Sequence, residues 1–313
     1  MPDPAAQQRT GSRDDLRLDN SRCLSIRFSE SGCRRCVEIC PHNAISIDDQ
    51  LSINPQRCTG CLLCTTVCPS GALEINHSLA ACRAALAKVA NPVLGCCRTV
   101  ATSNSTLACL GGLSDEHVAF LTHSLTGNLT LNLGNCDGCP NSAMLPLLLQ
   151  RVQWFMESGM EQGGCRIGTA DVDPKVVLEH QKLDRRSFFS SLRSTLFQSA
   201  AVVMHTATEP VERSSSYGDK RVPQRRELLN LIIPKLTAEL QQLFSYHFVH
   251  QVSFSPGCTA CQGCVAICPS GALTTRDRHQ QPDFVPVRCT GCELCVEFCL
   301  DRAIQLQLPP QNR

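Results

Sequence analysis

Cys58-Thr-Gly-Cys61-Leu-Leu-Cys64-Thr-Thr-Val-Cys68-Pro69 returns later in the chain as Cys258-Thr-Ala-Cys261-Gln-Gly-Cys264-Val-Ala-Ile-Cys268-Pro269. Each run sets a thiol at every third position, adds one after a longer gap, and closes on proline. The same step recurs at Cys289, Cys292, Cys295 and Cys299, where Leu300 replaces the proline, and at Cys33, Cys36 and Cys40, which lack the first thiol. The repetition reaches beyond cysteine. Cys68-Pro-Ser-Gly-Ala-Leu recurs as Cys268-Pro-Ser-Gly-Ala-Leu, and Cys36-Val-Glu-Ile-Cys40 parallels Cys295-Val-Glu-Phe-Cys299. Internal duplication is the economical explanation.

Working outward, the chain of 313 residues holds 23 cysteines against one tryptophan and two tyrosines, so thiol chemistry dominates whatever it does. Three chemistries use cysteine at such density: secreted disulfide scaffolds, zinc sites and iron–sulfur clusters. The opening stretch has no apolar core to serve as a signal peptide, and the cysteine total is odd, so a reducing, cytoplasmic setting is expected rather than a disulfide scaffold. No apolar run approaches the roughly 18 to 20 residues of a membrane span, and the chain reads as soluble. With 29 basic and 28 acidic residues, no bulk field points to nucleic acid or an anionic membrane. Structural zinc uses two separated pairs of ligands and has no use for a third cysteine at the same step. A [4Fe-4S] cube needs a thiolate on each iron, and the run Cys-x2-Cys-x2-Cys-x3-Cys-Pro supplies three to one cluster and its last to another. The spacing therefore favours iron–sulfur clusters.

Over residues 21–77 and 251–305 the chain resembles bacterial two-cluster [4Fe-4S] ferredoxins. That resemblance implies a ferredoxin-like domain in each block and crossed ligation. In the C-terminal block it assigns Cys258, Cys261, Cys264 and Cys299 to one cluster and Cys289, Cys292, Cys295 and Cys268 to the other. In the N-terminal block it assigns Cys58, Cys61, Cys64 and Cys40 to one, and Cys33, Cys36 and Cys68 to three corners of the other. The family pattern wants a cysteine where Glu30 stands. Cys23, with an enlarged loop from Leu24 to Gly32, is the preferred fourth ligand, because it brings sixteen cysteines to four clusters. A three-iron cluster or weak ligation by Glu30 is the alternative.

The fold class expected is α+β: the two 2x[4Fe-4S] domains flank a small α/β parallel-sheet domain over 78–175 and a helical connector over 176–250, with a linker at 209–224. Tails are expected at 1–20 and 306–313. In the middle domain the pattern predicts a helix over Leu79–Val89, a strand ending at Cys96, a strand ending at Cys109, a helix opened by Ser114, a strand Leu129–Leu133 and a helix after Pro140. Amphipathic helices are expected through Phe188 to Leu196 and through Leu228 to Phe244.

Cys96, Cys109, Cys136 and Cys139 fall at or just past predicted strand ends, where a parallel sheet gathers its ligands. They are a candidate fifth site, for a [2Fe-2S] cluster or zinc, or a redox-active dithiol at Cys136 and Cys139. About 60 residues here loosely resemble the delta-type iron–sulfur subunit of the hydrogenases that serve heterodisulfide reductase, in which cysteines after successive strands hold a [2Fe-2S] cluster. Cys97 is a possible substitute for Cys96, whereas Cys82 and Cys165 read as packing residues. Arg185-Arg186-Ser-Phe-Phe lies mid-chain with no cleavable apolar segment and reads as a helix start; no nucleotide-binding loop is present. The function expected is an electron-transfer protein or oxidoreductase subunit relaying single electrons through four [4Fe-4S] clusters between redox partner proteins, within a hetero-oligomeric complex. An oxidoreductase subunit with an active middle-domain site, and an accessory protein for redox-enzyme maturation, are the alternatives.

Overall fold

The structure is a computed structural model that describes residues 14–171, 218–307 and 309. The helix expected around Phe188 and Leu196, the Arg185-Arg186 pair and the linker up to residue 217 lie outside the described residues.

The N-terminal unit has four short strands, β1 (Leu16–Leu18), β2 (Ile45–Ile47), β3 (Leu51–Ile53) and β4 (Leu73–Ile75). β1 pairs antiparallel with β4, Leu16 opposite Ile75, and β2 with β3, Ile45 opposite Ile53. β1 lies inside the stretch expected to be an unstructured tail. Its leucines close the apolar face of β4, so the chain is ordered there by pairing rather than by local composition.

A parallel four-stranded sheet follows: β5 (Val93–Cys96), β6 (Ser105–Leu107), β7 (Asn128–Asn132) and β8 (Arg166–Ala170), in the order β6-β5-β7-β8. Helix Leu79–Leu86 leads into β5, and helices Asp115–Ser124 and Leu145–Glu157 connect β6 to β7 and β7 to β8. Local chemistry explains their starts. Ser78 and Ser114 accept N–H groups of the first turn, and Pro146 stands where its missing N–H costs nothing. Helices Gln224–Ile232 and Ala238–Phe248 lead into the C-terminal unit. There β9 (Gln251–Phe254) pairs with β12 (Ile304–Gln307), and β10 (Leu273–Thr274) with β11 (Asp283–Phe284), both antiparallel.

Apolar burial is unequally shared. One continuous core runs from Leu16, Leu63 and Leu73 of the first unit, through Leu94 and Leu131 of the sheet, to Phe155, Phe244 and Phe248. The C-terminal unit has its own small core of Cys264, Cys268, Ala272, Leu273 and Ile304. It meets the rest of the molecule through mostly polar ties. Arg27 donates to the Ile267 carbonyl (3.4 Å), Arg221 N–H to the Pro269 carbonyl (3.1 Å), and Arg35 pairs with Glu293 (3.5 Å). Phe28 packs edge-on against Phe298.

At the start of Asp115–Ser124 the imidazole of His117 is buried. Burial holds it down at about 4, against the pull of the neighbouring Glu116 carboxylate. A depressed histidine contributes stability present above the unfolded value of about 6.5 and lost as pH falls toward the folded one. Asp115, pushed up to about 6 by burial, acts in the opposite sense. Thermal unfolding of the wild type and His117→Asn at pH 7 and pH 5 isolates the imidazole: the variant loses less on acidification, by about 2 kcal/mol.

Candidate iron–sulfur sites and the sheet-edge thiols

The cysteine runs fold by one rule. Between their second and third thiols, Leu62, Gln262 and Glu293 have left-handed backbone (φ 61°, 61° and 65°), and Gly60, Ala260 and Gly291 do so between the first and second (φ 75°, 54° and 62°). Repeated left-handed residues curl each loop around a centre and turn its N–H groups inward. The fourth run departs. Arg34, at the corresponding position between Cys33 and Cys36, has φ −128°. That loop lacks the preceding thiol, and its curl is missing with it.

Three residues past the last thiol of each run the chain turns left-handed again, at Asn43, Gly71, Gly271 and Arg302 (φ 48°, 70°, 66° and 49°). A buried alanine follows each turn, Ala44, Ala72, Ala272 and Ala303, and then β2, β4, β10 and β12 begin. In three of the four turns the alanine N–H points back to the thiol: Ala44 to Cys40 Sγ, Ala272 to Cys268 Sγ and Ala303 to Cys299 Sγ, each 3.3 Å. Each donor gives its sulfur a backbone hydrogen bond.

Two cavities of the N-terminal unit collect the thiols. One is lined by Cys40, Cys58, Cys61 and Cys64 together with Leu16, Ile45 and Leu63. The other is lined by Cys23, Cys33, Cys36 and Cys68 with Leu24 and Leu51. Cys23 is buried at the N-terminal end of helix Leu24–Arg27, while Glu30 is exposed on the loop beyond. In the C-terminal unit Cys292 and Cys295 feel the charges of Cys268 and Cys289, and Cys264 those of Cys258 and Cys261. Cys299 packs with Cys264 against the same small core.

Burial, then mutual repulsion, sets the thiol chemistry. Cys36 is pushed up to about 12 by burial and then by Cys68, Cys23 and Cys33, and Cys295 to about 12 by burial and then by Cys268 and Cys289. Four thiolates in such a space require a compensating positive charge. The donor set, four sulfurs around an apolar cavity, fits a cluster of iron.

At the sheet, Cys96 ends β5, Cys109 follows β6, and Cys136 and Cys139 follow β7, all at the carboxyl edge where the strand order reverses. Cys136 and Cys97 each feel Cys96 and Cys139, and Cys109 feels Cys96, so the four candidates share one neighbourhood. Residues that sequence reasoning missed surround them. Thr99 donates to the Cys96 thiol (3.9 Å), Asn141 N–H donates to Cys139 Sγ (3.4 Å), and the Asn141 side chain reaches Cys109. No spacing rule marks Thr99 or Asn141. Cys97 is exposed, Cys82 is buried against His77 (3.2 Å), and Cys165 is buried and donates to the Leu121 carbonyl (3.6 Å). Among the described residues, no three His, Cys, Asp or Glu side chains are grouped so as to hold a single metal ion.

The edge of the sheet abuts the first unit. Cys109 feels the charge of Cys61, and a Cβ added at Gly111 would stand 2.4 Å from the Cys61 carbonyl. A left-handed glycine of the same region, Gly138 (φ 66°), has open space around its Cα.

Residues 31–72 and 257–303 match the 4Fe-4S dicluster domain family. No curated protein and no solved structure matches the chain. The chain thus carries two ferredoxin-type domains with [4Fe-4S] clusters and an iron–sulfur electron-transfer role, which implies redox partners. The matched stretches leave out Cys23 and the parallel sheet. No helix of the described residues is long and apolar enough to cross a membrane.

Gly111→Ala has to separate two backbones, at a cost of about 1–3 kcal/mol, whereas Gly138→Ala meets only the left-handed penalty of about 1–2 kcal/mol. Thermal unfolding is expected to rank Gly111→Ala as the more damaging, with the contact between sheet edge and first unit as the cause.

Proposed function

We propose that the chain is a one-electron carrier subunit with four [4Fe-4S] clusters, held by Cys23/Cys33/Cys36/Cys68, Cys40/Cys58/Cys61/Cys64, Cys258/Cys261/Cys264/Cys299 and Cys268/Cys289/Cys292/Cys295. The observation that carries this reading is the pair of four-thiol cavities in the N-terminal unit, each drawing ligands from both halves of the domain. When bound, each cluster supplies a one-electron couple. The chain's residues hold the cubes, exclude water with Leu16, Leu24, Leu51 and Leu63, and tune the sulfurs through N–H donors such as that of Ala44.

The middle sheet is read as a fifth site, with Cys96, Cys109, Cys136 and Cys139 as ligands. The placement of all four at the carboxyl edge of one parallel sheet supports a further metal or cluster site, with a [2Fe-2S] cluster or zinc as the occupant. A redox-active dithiol at Cys136 and Cys139 gains less support, because nucleophilic cysteines have lowered pKa values, while burial raises Cys136. Contact of Cys109 and Gly111 with the Cys61 loop supports a relay from the sheet edge into the first ferredoxin-type domain. At the far end, Cys261 is exposed and Leu300 is 98 % exposed, which suits docking of a second redox protein in a cytoplasmic complex.

Anaerobically purified protein is expected to carry about sixteen irons for four cubanes, or about eighteen with a two-iron site. Cys23→Ser removes one cubane or leaves it with three irons, and changes the electron-paramagnetic signal. An unchanged iron content and signal would exclude Cys23 as a ligand.

Iron removal tests the domains separately. The C-terminal unit has only a small core of its own, so its folding leans on its clusters. Under an iron chelator, limited proteolysis is expected to cut within residues 251–305 before it cuts the parallel sheet.

A further inference from the structure

Between the two ferredoxin-type domains lies a buried ionic group that the electron-carrier reading does not use. Glu116, in the first turn of helix Asp115–Ser124, points at two consecutive arginines of helix Gln224–Ile232. Its Oε2 lies 3.0 Å from Arg225 Nε, an ion pair without hydrogen-bond alignment, and its Oε1 lies 3.7 Å from Arg226 Nη2. Ser114 Oγ donates to Oε2 (3.1 Å). All three charged side chains are nearly excluded from solvent.

Each arginine reaches toward a different domain. Arg225 Nη1 donates to the carbonyls of Cys68 (2.6 Å) and Thr65 (3.2 Å), in the last ligand turn of the first domain. Arg226 Nη1 donates to the Phe248 carbonyl (2.8 Å), next to His250, whose ring is so close to the Cys289 loop that a Cβ at Gly291 would overlap it. Arg226 is also among the charges that act on Cys289, whose thiol burial raises. Glu116 thus faces two cations, one set behind Cys68 and one toward the Cys289 loop, with the Asp115–Arg151 pair (3.9 Å) alongside.

We propose that Glu116, Arg225 and Arg226 act together as positioning residues that set the reduction potentials of the two clusters meeting at the domain junction, those ligated by Cys68 and by Cys289. This rests on the four-cluster reading above. Arg151, Arg225 and Arg226 against Asp115 and Glu116 leave a net positive charge at the junction. In a poorly solvated site its field favours the more negative, reduced state of a nearby cluster. Arg225 donates directly to the Cys68 carbonyl and Arg226 acts on Cys289, so the effect is expected to be largest at those two clusters.

The test is a redox titration of the full, cluster-loaded chain, followed by electron-paramagnetic resonance, for wild type, Glu116→Gln, Arg226→Gln and Arg226→Lys. Iron and sulfide are counted in each. In Glu116→Gln, with the balancing carboxylate gone, two of the four potentials are expected to rise together. The size is a roughly tenfold shift in the reduced-to-oxidised ratio, about 59 mV for a one-electron couple. Arg226→Gln moves the potential of the Cys289 cluster down, opposite in sign, and Arg226→Lys restores it. A group that merely held the fold would release iron in every variant and would show no reversal of sign. If all four potentials shift equally, or none shifts while iron is retained, the proposal is overturned. Should Glu116→Gln lose iron, the contrast between Arg226→Gln and Arg226→Lys decides. Wild-type protein with well under about sixteen irons would instead overturn the four-cluster reading.

Discussion

The left-handed turn after the last cysteine of each run is the constraint on which the architecture depends. At Asn43, Gly71, Gly271 and Arg302 the backbone reverses, buries an alanine and starts a strand. The turn sets the last thiol to one side of its own loop and sends the following strand to pair with its partner. Asn is the commonest non-glycine tenant of this region. Arg302 is the costly occupant, and it appears in the run that also lost its proline to Leu300.

From that turn two kinds of junction follow. The first domain is welded to the parallel sheet by apolar surface: Leu73, Ile75 and Leu62 share one core with Leu110 and Leu113. Glycines 111 and 112 permit the approach, because any side chain there would meet Cys61 or Ile75. The second domain is attached instead by charge and directed hydrogen bonds, through Arg27, Arg35, Lys220 and Arg221. Apolar contact gives stability with little preference for orientation, whereas donors aimed at particular carbonyls fix one register. A carrier of electrons between two domains needs the second property more than the first.

Much of the fold was legible because its signals are local. Ser114 before an acidic first turn marked a helix now seen from Asp115, and Val93–Cys96 and Asn128–Asn132 lie where apolar runs placed strands. β8 was missed, since of Arg166–Ala170 only Ile167 is buried and no alternation shows. β1 falls where the sequence reads as a tail, because three residues among charges carry no periodicity; Leu73 and Ile75 give Leu16 and Leu18 something to cover. The ionic group at Glu116 left no trace in spacing, because its members come from helices more than a hundred positions apart.

The sequence by itself determined the ligand loops and their fourfold repetition, because thiol spacing acts within a dozen residues. Tertiary structure decided the rest. It brought Cys23 rather than Glu30 to Cys33, Cys36 and Cys68, gathered Cys96, Cys109, Cys136 and Cys139 at one sheet edge, and set Arg225 behind Cys68. These are meetings of segments distant along the chain, and they arise only once burial has forced the segments together.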